Sequence, residues 1–188
     1  PYFVPYLFRE LKFSYIQYMI AHAVFIGSKS LFLPLWGHYS DRYGSKKLLT
    51  VAGFIAPIIP FLWLLTKNYY GIVGIHFFSG FCWAGFELCS FQFILDCTTP
   101  EKRARCSTYY QLFNGIGTVC GAVLGGILLK YNLFFNGSYL FVFCLSGFGR
   151  LLFSLLFIPK IREMRVVEPI SYKSLLIRMF LFLKPDAS

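Results

Sequence analysis

Apolar residues along this chain come in long blocks rather than in alternation, and the polar residues fall mostly between the blocks. A helix rises ~1.5 Å per residue and needs about 20 apolar residues to cross the hydrocarbon core of a bilayer. The blocks at 15–36, 48–65, 71–95, 108–129 and 139–158 have about that length. Pro34 interrupts the first, and Pro57 and Pro60 the second. Membrane helices tolerate such breaks when neighbouring helices satisfy the freed backbone groups. The polar connections at 38–47, 66–70, 97–105 and 130–138 are short, so successive spans are expected to run antiparallel in one bundle. The pattern predicts an all-α integral membrane protein, a helical bundle of about five transmembrane spans.

Two flanks complete the pattern. The chain starts at Pro1 in mid-pattern, and residues 1–14 read as the external end of a truncated helix plus a loop. Residues 160–188 read as a tail in which Leu175, Leu176, Ile177 and Leu181 mix with Lys173, Arg178 and Lys184. That stretch is too short and too charged to span, which favours a helix lying in the interface; the alternative is the start of a further segment.

Composition agrees with this picture and orients it. Hydrophobic residues make up 57% of the 188 and charged residues 14%, against roughly a quarter charged in soluble domains. The net charge of +10 is no nucleic-acid footprint, because the cations gather at block ends, where they anchor spans and set orientation. One side holds Arg42, Lys46, Lys47, Lys102, Arg103, Arg105 and six more after Pro159; the other holds Arg9, Lys12, Lys67 and Lys130. The richer side is expected to be cytoplasmic, placing a multi-pass protein in the cell membrane with its C-terminus inside. Asn136-Gly137-Ser138 matches a glycosylation sequon and would then lie outside. The six cysteines show no CxxC pair and read as apolar packing filler. No cofactor or metal is expected, and no phosphate-binding GxxxxGK[ST] loop is present.

The most specific stretch is Gly37-His38-Tyr39-Ser40-Asp41-Arg42-Tyr43-Gly44-Ser45-Lys46-Lys47. It resembles the loop signature of the major facilitator superfamily: a Gly, three residues, Asp-Arg, any residue, Gly, then basic residues. Ser45 departs from that signature, where a basic residue is usual. A second stretch, Asp96 to Arg103 with Pro100 and Glu101, is similar to the equivalent loop of the same superfamily. Gly117, Gly121 and Gly125 recur at four-residue steps, a spacing that lets helices approach closely. They look like the superfamily's glycine-rich helix, without its full antiporter signature. The resemblance implies one six-helix half of a two-half transporter, the second half rather than the first, with the first remaining open. It also implies that Gly37, Asp41, Arg42, Gly44, Lys46, Lys47, Asp96 and Arg103 act as a conformational latch.

Charges inside the spans suggest where chemistry lies. A charge at the bilayer centre costs about 2.5–3.5 kcal/mol on insertion scales and normally faces a partner or a wet cavity. Lys29 lies eight residues above Gly37, and Glu87 and Arg150 nine above Asp96 and Pro159, so all three stand at one level, roughly 12–13 Å in. Glu87 is expected to pair with Lys29 or with Arg150. At about 100° per residue, Tyr15, Tyr18, His22 and Lys29 share one stripe, and His76, Trp83, Glu87 and Ser90 another. Tyr18, His22, Lys29, His76, Trp83 and Glu87 are therefore candidates for a substrate or proton pathway; the competing reading is a structural ion pair with a snorkelling lysine.

The expected function is secondary transport of a small solute by alternating access, with lipid and the missing half as partners. A coupling ion is compatible with it. The alternative is a receptor or scaffold using the same bundle without moving solute.

Overall fold

The computed structural model describes residues 2–131, 138–165 and 167–181. Asn136 of the sequon lies outside them. The described residues form eight α-helices and no strand: α1 (Phe3–Arg9), α2 (Tyr15–Tyr43), α3 (Ser45–Ile55), α4 (Ile58–Leu65), α5 (Tyr69–Asp96), α6 (Pro100–Tyr131), α7 (Ser138–Phe157) and α8 (Tyr172–Phe180). Five segments are long and apolar enough to cross a membrane: Tyr15–Tyr43, Ser45–Leu65, Tyr69–Asp96, Pro100–Lys130 and Tyr139–Lys160. The chain is an all-helical, multi-pass membrane bundle.

Local chemistry explains the helix limits. Ser14 opens α2 with a reciprocal cap: its hydroxyl accepts from the Gln17 amide N–H at 3.2 Å, and the Gln17 side chain accepts from the Ser14 N–H at 2.9 Å. Such a cap satisfies two of the N–H groups that a helix start leaves orphaned. Pro34 sits inside α2 without ending it. The second span is divided into α3 and α4 at Ala56–Pro57, as expected of a ring that cannot donate to the helix ladder.

The end of α2 corrects the sequence reading. The pattern places a span at about 15–36 and a polar connection over 38–47. Instead α2 runs on through Gly37 to Tyr43, and the chain turns at Gly44 alone. Gly44 has φ +94°, a backbone region open chiefly to glycine. Polarity marks where a helix leaves the lipid, not where its hydrogen bonds cease.

α5 is the hub, packing on α2, α3, α4 and α6, while α4 packs on α7. Fully or nearly fully buried side chains include Trp36, Tyr39, Leu48, Ile72, Cys82 and Cys89. A second aromatic cluster joins α1 to α4 and α7: Phe3 meets Trp63 and Phe143 at 4.6 and 4.5 Å between ring centres. α8 is not simply laid on the bundle. Leu175 and Met179 turn into the protein and are 0% and 1% exposed, so the tail helix docks on protein as well as facing outward.

Candidate functional site

Two groups of polar side chains stand out, one in the middle of the bundle and one at its Lys/Arg-rich end. The first depends on how closely α2 and α5 approach. A Cβ built at Gly80 would stand 2.5 Å from the Phe25 carbonyl oxygen and 2.9 Å from the Lys29 nitrogen. At Gly85 it would enter the Trp36 indole ring. Both glycines are therefore required by the approach of the neighbouring helix. Across this seam Ser28 Oγ donates to the Phe77 carbonyl at 2.6 Å, and Trp36 Nε1 donates to the Phe81 carbonyl at 3.0 Å.

One residue beyond Ser28, Lys29 Nζ lies 2.5 Å from Glu87 Oε2. Of the two partners left open for Glu87, the structure selects Lys29. The side chains are 28% and 51% exposed on the protein surface, so the pair lies on an open face. Arg150 goes elsewhere, its guanidinium 5.4 Å from the centre of the Trp83 ring, a cation–π arrangement.

The two polar stripes differ in outcome. On α2, Tyr15, Tyr18, His22 and Phe25 form a ladder of rings 5.8–6.3 Å apart, and Phe8 of α1 adds a rung 5.4 Å from Tyr18. Lys29 follows one helical turn below Phe25. On α5 the stripe meets a different neighbour at each level. His76 stands 5.5 Å from the Trp63 ring of α4, with Nδ1 2.9 Å from the Ile72 carbonyl. Trp83 meets Arg150 of α7, and Glu87 meets Lys29 of α2. Ser90 turns its hydroxyl back to the Phe86 carbonyl. The structure thus joins Lys29 to Glu87, sets Tyr18 and His22 in line above them, and gives His76 and Trp83 separate contacts.

At the other end, α2, α3 and α5 converge on Gly44. Ser45 Oγ donates to Asp96 Oδ2 at 2.7 Å, and Arg165 Nε lies 3.7 Å from Asp96 Oδ1. The Asp96 side chain is only 14% exposed, so these partners offset its desolvation. The Gln92 amide reaches Asp41 Oδ1 at 3.5 Å. Arg42 Nε pairs with Glu168 Oε2 at 2.7 Å, and the Glu168 N–H donates to the Arg42 carbonyl at 3.3 Å. Glu163 Oε2 accepts from the Lys46 amide N–H at 3.1 Å, a carboxylate at the start of α3 where the helix dipole favours it. Gly37 faces Leu88, whose Cδ2 would be 3.6 Å from a Cβ there. Arg103 is exposed on the first turns of α6, and Lys47 is half-buried in α3.

The residues that sequence reasoning missed here are Glu163, Arg165 and Glu168, all from the segment after α7. Their signal was the alternating charge of Arg162-Glu163-Met164-Arg165 and Glu168 next to Pro169. It says that the segment is polar but not which loop it meets. Cys97, at the end of α5, has its thiol pKa raised by burial and, after that, by the Asp96 and Glu163 carboxylates.

The α6 glycines also divide. Gly125 packs closely on the Tyr2 ring, and the Tyr2 hydroxyl donates to the Ala122 carbonyl. Gly117 and Gly121 meet nothing within 4 Å among the described residues. They line a groove of about 720 Å³ together with Trp83, Asn114, Ser146 and Arg150. The expected close packing is therefore present at Gly125 and replaced by open space at the other two.

A family model described as Major Facilitator Superfamily matches residues 1–184. The chain is similar to organic cation/carnitine transporter 4 of Arabidopsis thaliana, 32% identical over 77% of this chain and 26% of the relative. It is also similar to an uncharacterized transporter of Buchnera aphidicola, 27% identical over 79% and 35%. A third relative, the multi-drug resistance efflux pump PmrA of Streptococcus pneumoniae, is 28% identical over 61% and 30%. The chain spans about a quarter to a third of the length of these relatives. No solved structure matches it.

Proposed function

The chain belongs to the Major Facilitator Superfamily, a family of membrane transporters, and from that premise we propose that it forms half of a secondary transporter that moves a small solute by alternating access. The observation that carries this reading is the Lys29–Glu87 pair. Two opposite charges stand mid-span on an exposed face, beneath a ladder of rings on the same helix. In a folded half-bundle that face suits a solute path better than lipid, because charged side chains facing hydrocarbon would be costly. The other half of the transporter would lie across it, and the site between halves would open first to one side and then to the other.

The cluster around Gly44 serves as the latch in this reading. Asp41 and Arg42 sit on the last turn of α2, and Glu163 and Glu168 hold the start of α3 and Arg42. That end would face the cytoplasm, by the excess of Lys and Arg there, and the tail would be cytoplasmic.

The test is solute uptake by the full-length parent in proteoliposomes, across a broad panel including organic cations and zwitterions. Glu87→Gln is expected to lower flux of the responding solute at least tenfold at equal membrane abundance. The exchanged double variant Lys29→Glu/Glu87→Lys should regain part of it. A parent that moves no solute would point to the receptor or scaffold reading, and unchanged flux in Glu87→Gln would remove the pair from the path.

A further inference from the structure

A second cavity, of about 490 Å³, lies away from the Lys29–Glu87 face and from the large α6 groove. It is walled by Val51, Phe54 and Ile55 of α3, by Ile158 and Pro159 just past α7, and by Leu176 of α8, with Lys46, Thr50 and Tyr172 completing its lining. Its lining runs along α3 from Lys46 to Ile55. Lys46 stands on the first turn of α3, and Phe54 is eight residues deeper, roughly 12 Å at the helical rise. One end is therefore polar and at the Lys/Arg-rich surface, while the other is apolar and inside the lipid-level part of the bundle. Neighbouring positions on α7, Leu155, Leu156 and Phe157, are half or more exposed and apolar, as suits a face bathed in lipid.

We propose that this groove is a binding site for one anionic phospholipid, with an acyl chain against Val51, Phe54, Ile55 and Leu176 and the headgroup phosphate at Lys46 and Tyr172. Charge selects the headgroup. The Lys46 ammonium forms no ion pair among the described residues. Glu163, whose carboxylate sits beside the Lys46 backbone, accepts from the Lys46 and Met164 backbone N–H groups at 3.1 and 3.2 Å. The Thr50 hydroxyl is spent on the Lys46 carbonyl at 2.8 Å, which leaves the ammonium and the 44%-exposed Tyr172 as the remaining side-chain donors of the lining. Lys160 and Lys173 adjoin the lining residues Pro159 and Tyr172 in sequence and add to the local positive potential. Basic pockets between membrane helices at the cytoplasmic surface favour anionic headgroups for this reason. The site has a mechanical corollary: a lipid there would touch α3, α7 and α8 together and brace the tail that carries Glu163 and Glu168.

The experiment places the photoreactive residue p-benzoylphenylalanine at Phe54 in the full-length parent, reconstituted in phosphatidylcholine vesicles containing one-fifth phosphatidylglycerol. Adducts are identified by mass spectrometry, with the same probe at the lipid-exposed Leu155 as reference. Phosphatidylglycerol adducts at 54 are expected to be enriched several-fold over their share at 155. Lys46→Gln should abolish the enrichment and Lys46→Arg should keep it. Equal lipid composition at both positions, or enrichment that survives Lys46→Gln, would overturn the proposal. So would adducts at 54 to protein only, with lipid adducts at 155.

Discussion

The seam between α2 and α5 and the face of α6 use the same residue type to opposite ends. Along the seam, Gly80 and Gly85 are filled to the limit by a backbone carbonyl and an indole ring. Along α6, Gly117 and Gly121 face open space. Burial follows suit: 44% of the apolar stretch of α5 lies inside the bundle, against 6% for that of α6. Small residues at four-residue steps permit close approach but do not cause it. What decides is whether a neighbour brings matching donors and bulk, as α2 does with Ser28 and Trp36. A tight unit of α2, α3 and α5 thus carries a loosely attached α6.

The largest effect is expected at Gly80. Gly80→Val would drive a branched side chain into the Phe25 carbonyl, and overpacking of this kind costs about 1–3 kcal/mol or more. Its thermal midpoint in detergent should fall well below that of the parent, while Gly121→Val, with nothing within 4 Å, should leave the midpoint nearly unchanged. Equal losses at both positions would mean that α6 is packed as closely as α5.

A smaller effect is expected at the ion pair. Neutralising Lys29 alone leaves Glu87 without its partner at mid-span, where an unpaired charge costs more than at the water-exposed end, for a loss of about 1–2 kcal/mol. The double variant Lys29→Gln/Glu87→Gln should be more stable than Lys29→Gln alone, which a double-mutant cycle on unfolding midpoints would read. The tie between Arg42 and Glu168 is weaker still. Its side chains are 21% and 49% exposed, so Glu168→Gln should change stability by under about 1 kcal/mol and mainly loosen the tail, read as faster proteolysis after Pro159.

The least effect concerns Cys97. Partial desolvation and two carboxylates hold the exposed Cys97 thiol above the usual range, so little of the reactive thiolate is present at neutral pH. Alkylation should accelerate as pH rises through 8 to 9. Glu163→Gln removes one carboxylate, lowers the thiol pKa and should speed the reaction at neutral pH. A slower reaction would reverse the sign of that electrostatic effect.

Much of this fold could be read from block lengths alone, because lipid leaves the backbone few options. The level of Lys29 and Glu87 was also legible, since helical rise converts sequence distance to depth. What could not be read is set by neighbours that the pattern does not name. The continuation of α2 to Tyr43 is hidden because polar residues remain helical once outside the hydrocarbon. The dispersal of His76, Trp83 and Glu87 among α4, α7 and α2 arises because one straight stripe passes three different helices. Ser45, a departure from the family signature, gains its meaning only when Asp96 is seen 2.7 Å away: a hydroxyl donor stands where a cation is usual.

The stacking of Arg150 on Trp83 gives the molecule a built-in optical probe. Trp36 and Trp63 are 0% and 4% exposed, whereas Trp83 borders the large groove. Within this chain, quenching of indole emission by a small polar agent should therefore come mainly from Trp83, and whatever fills that groove should dim the quenching without any label being attached.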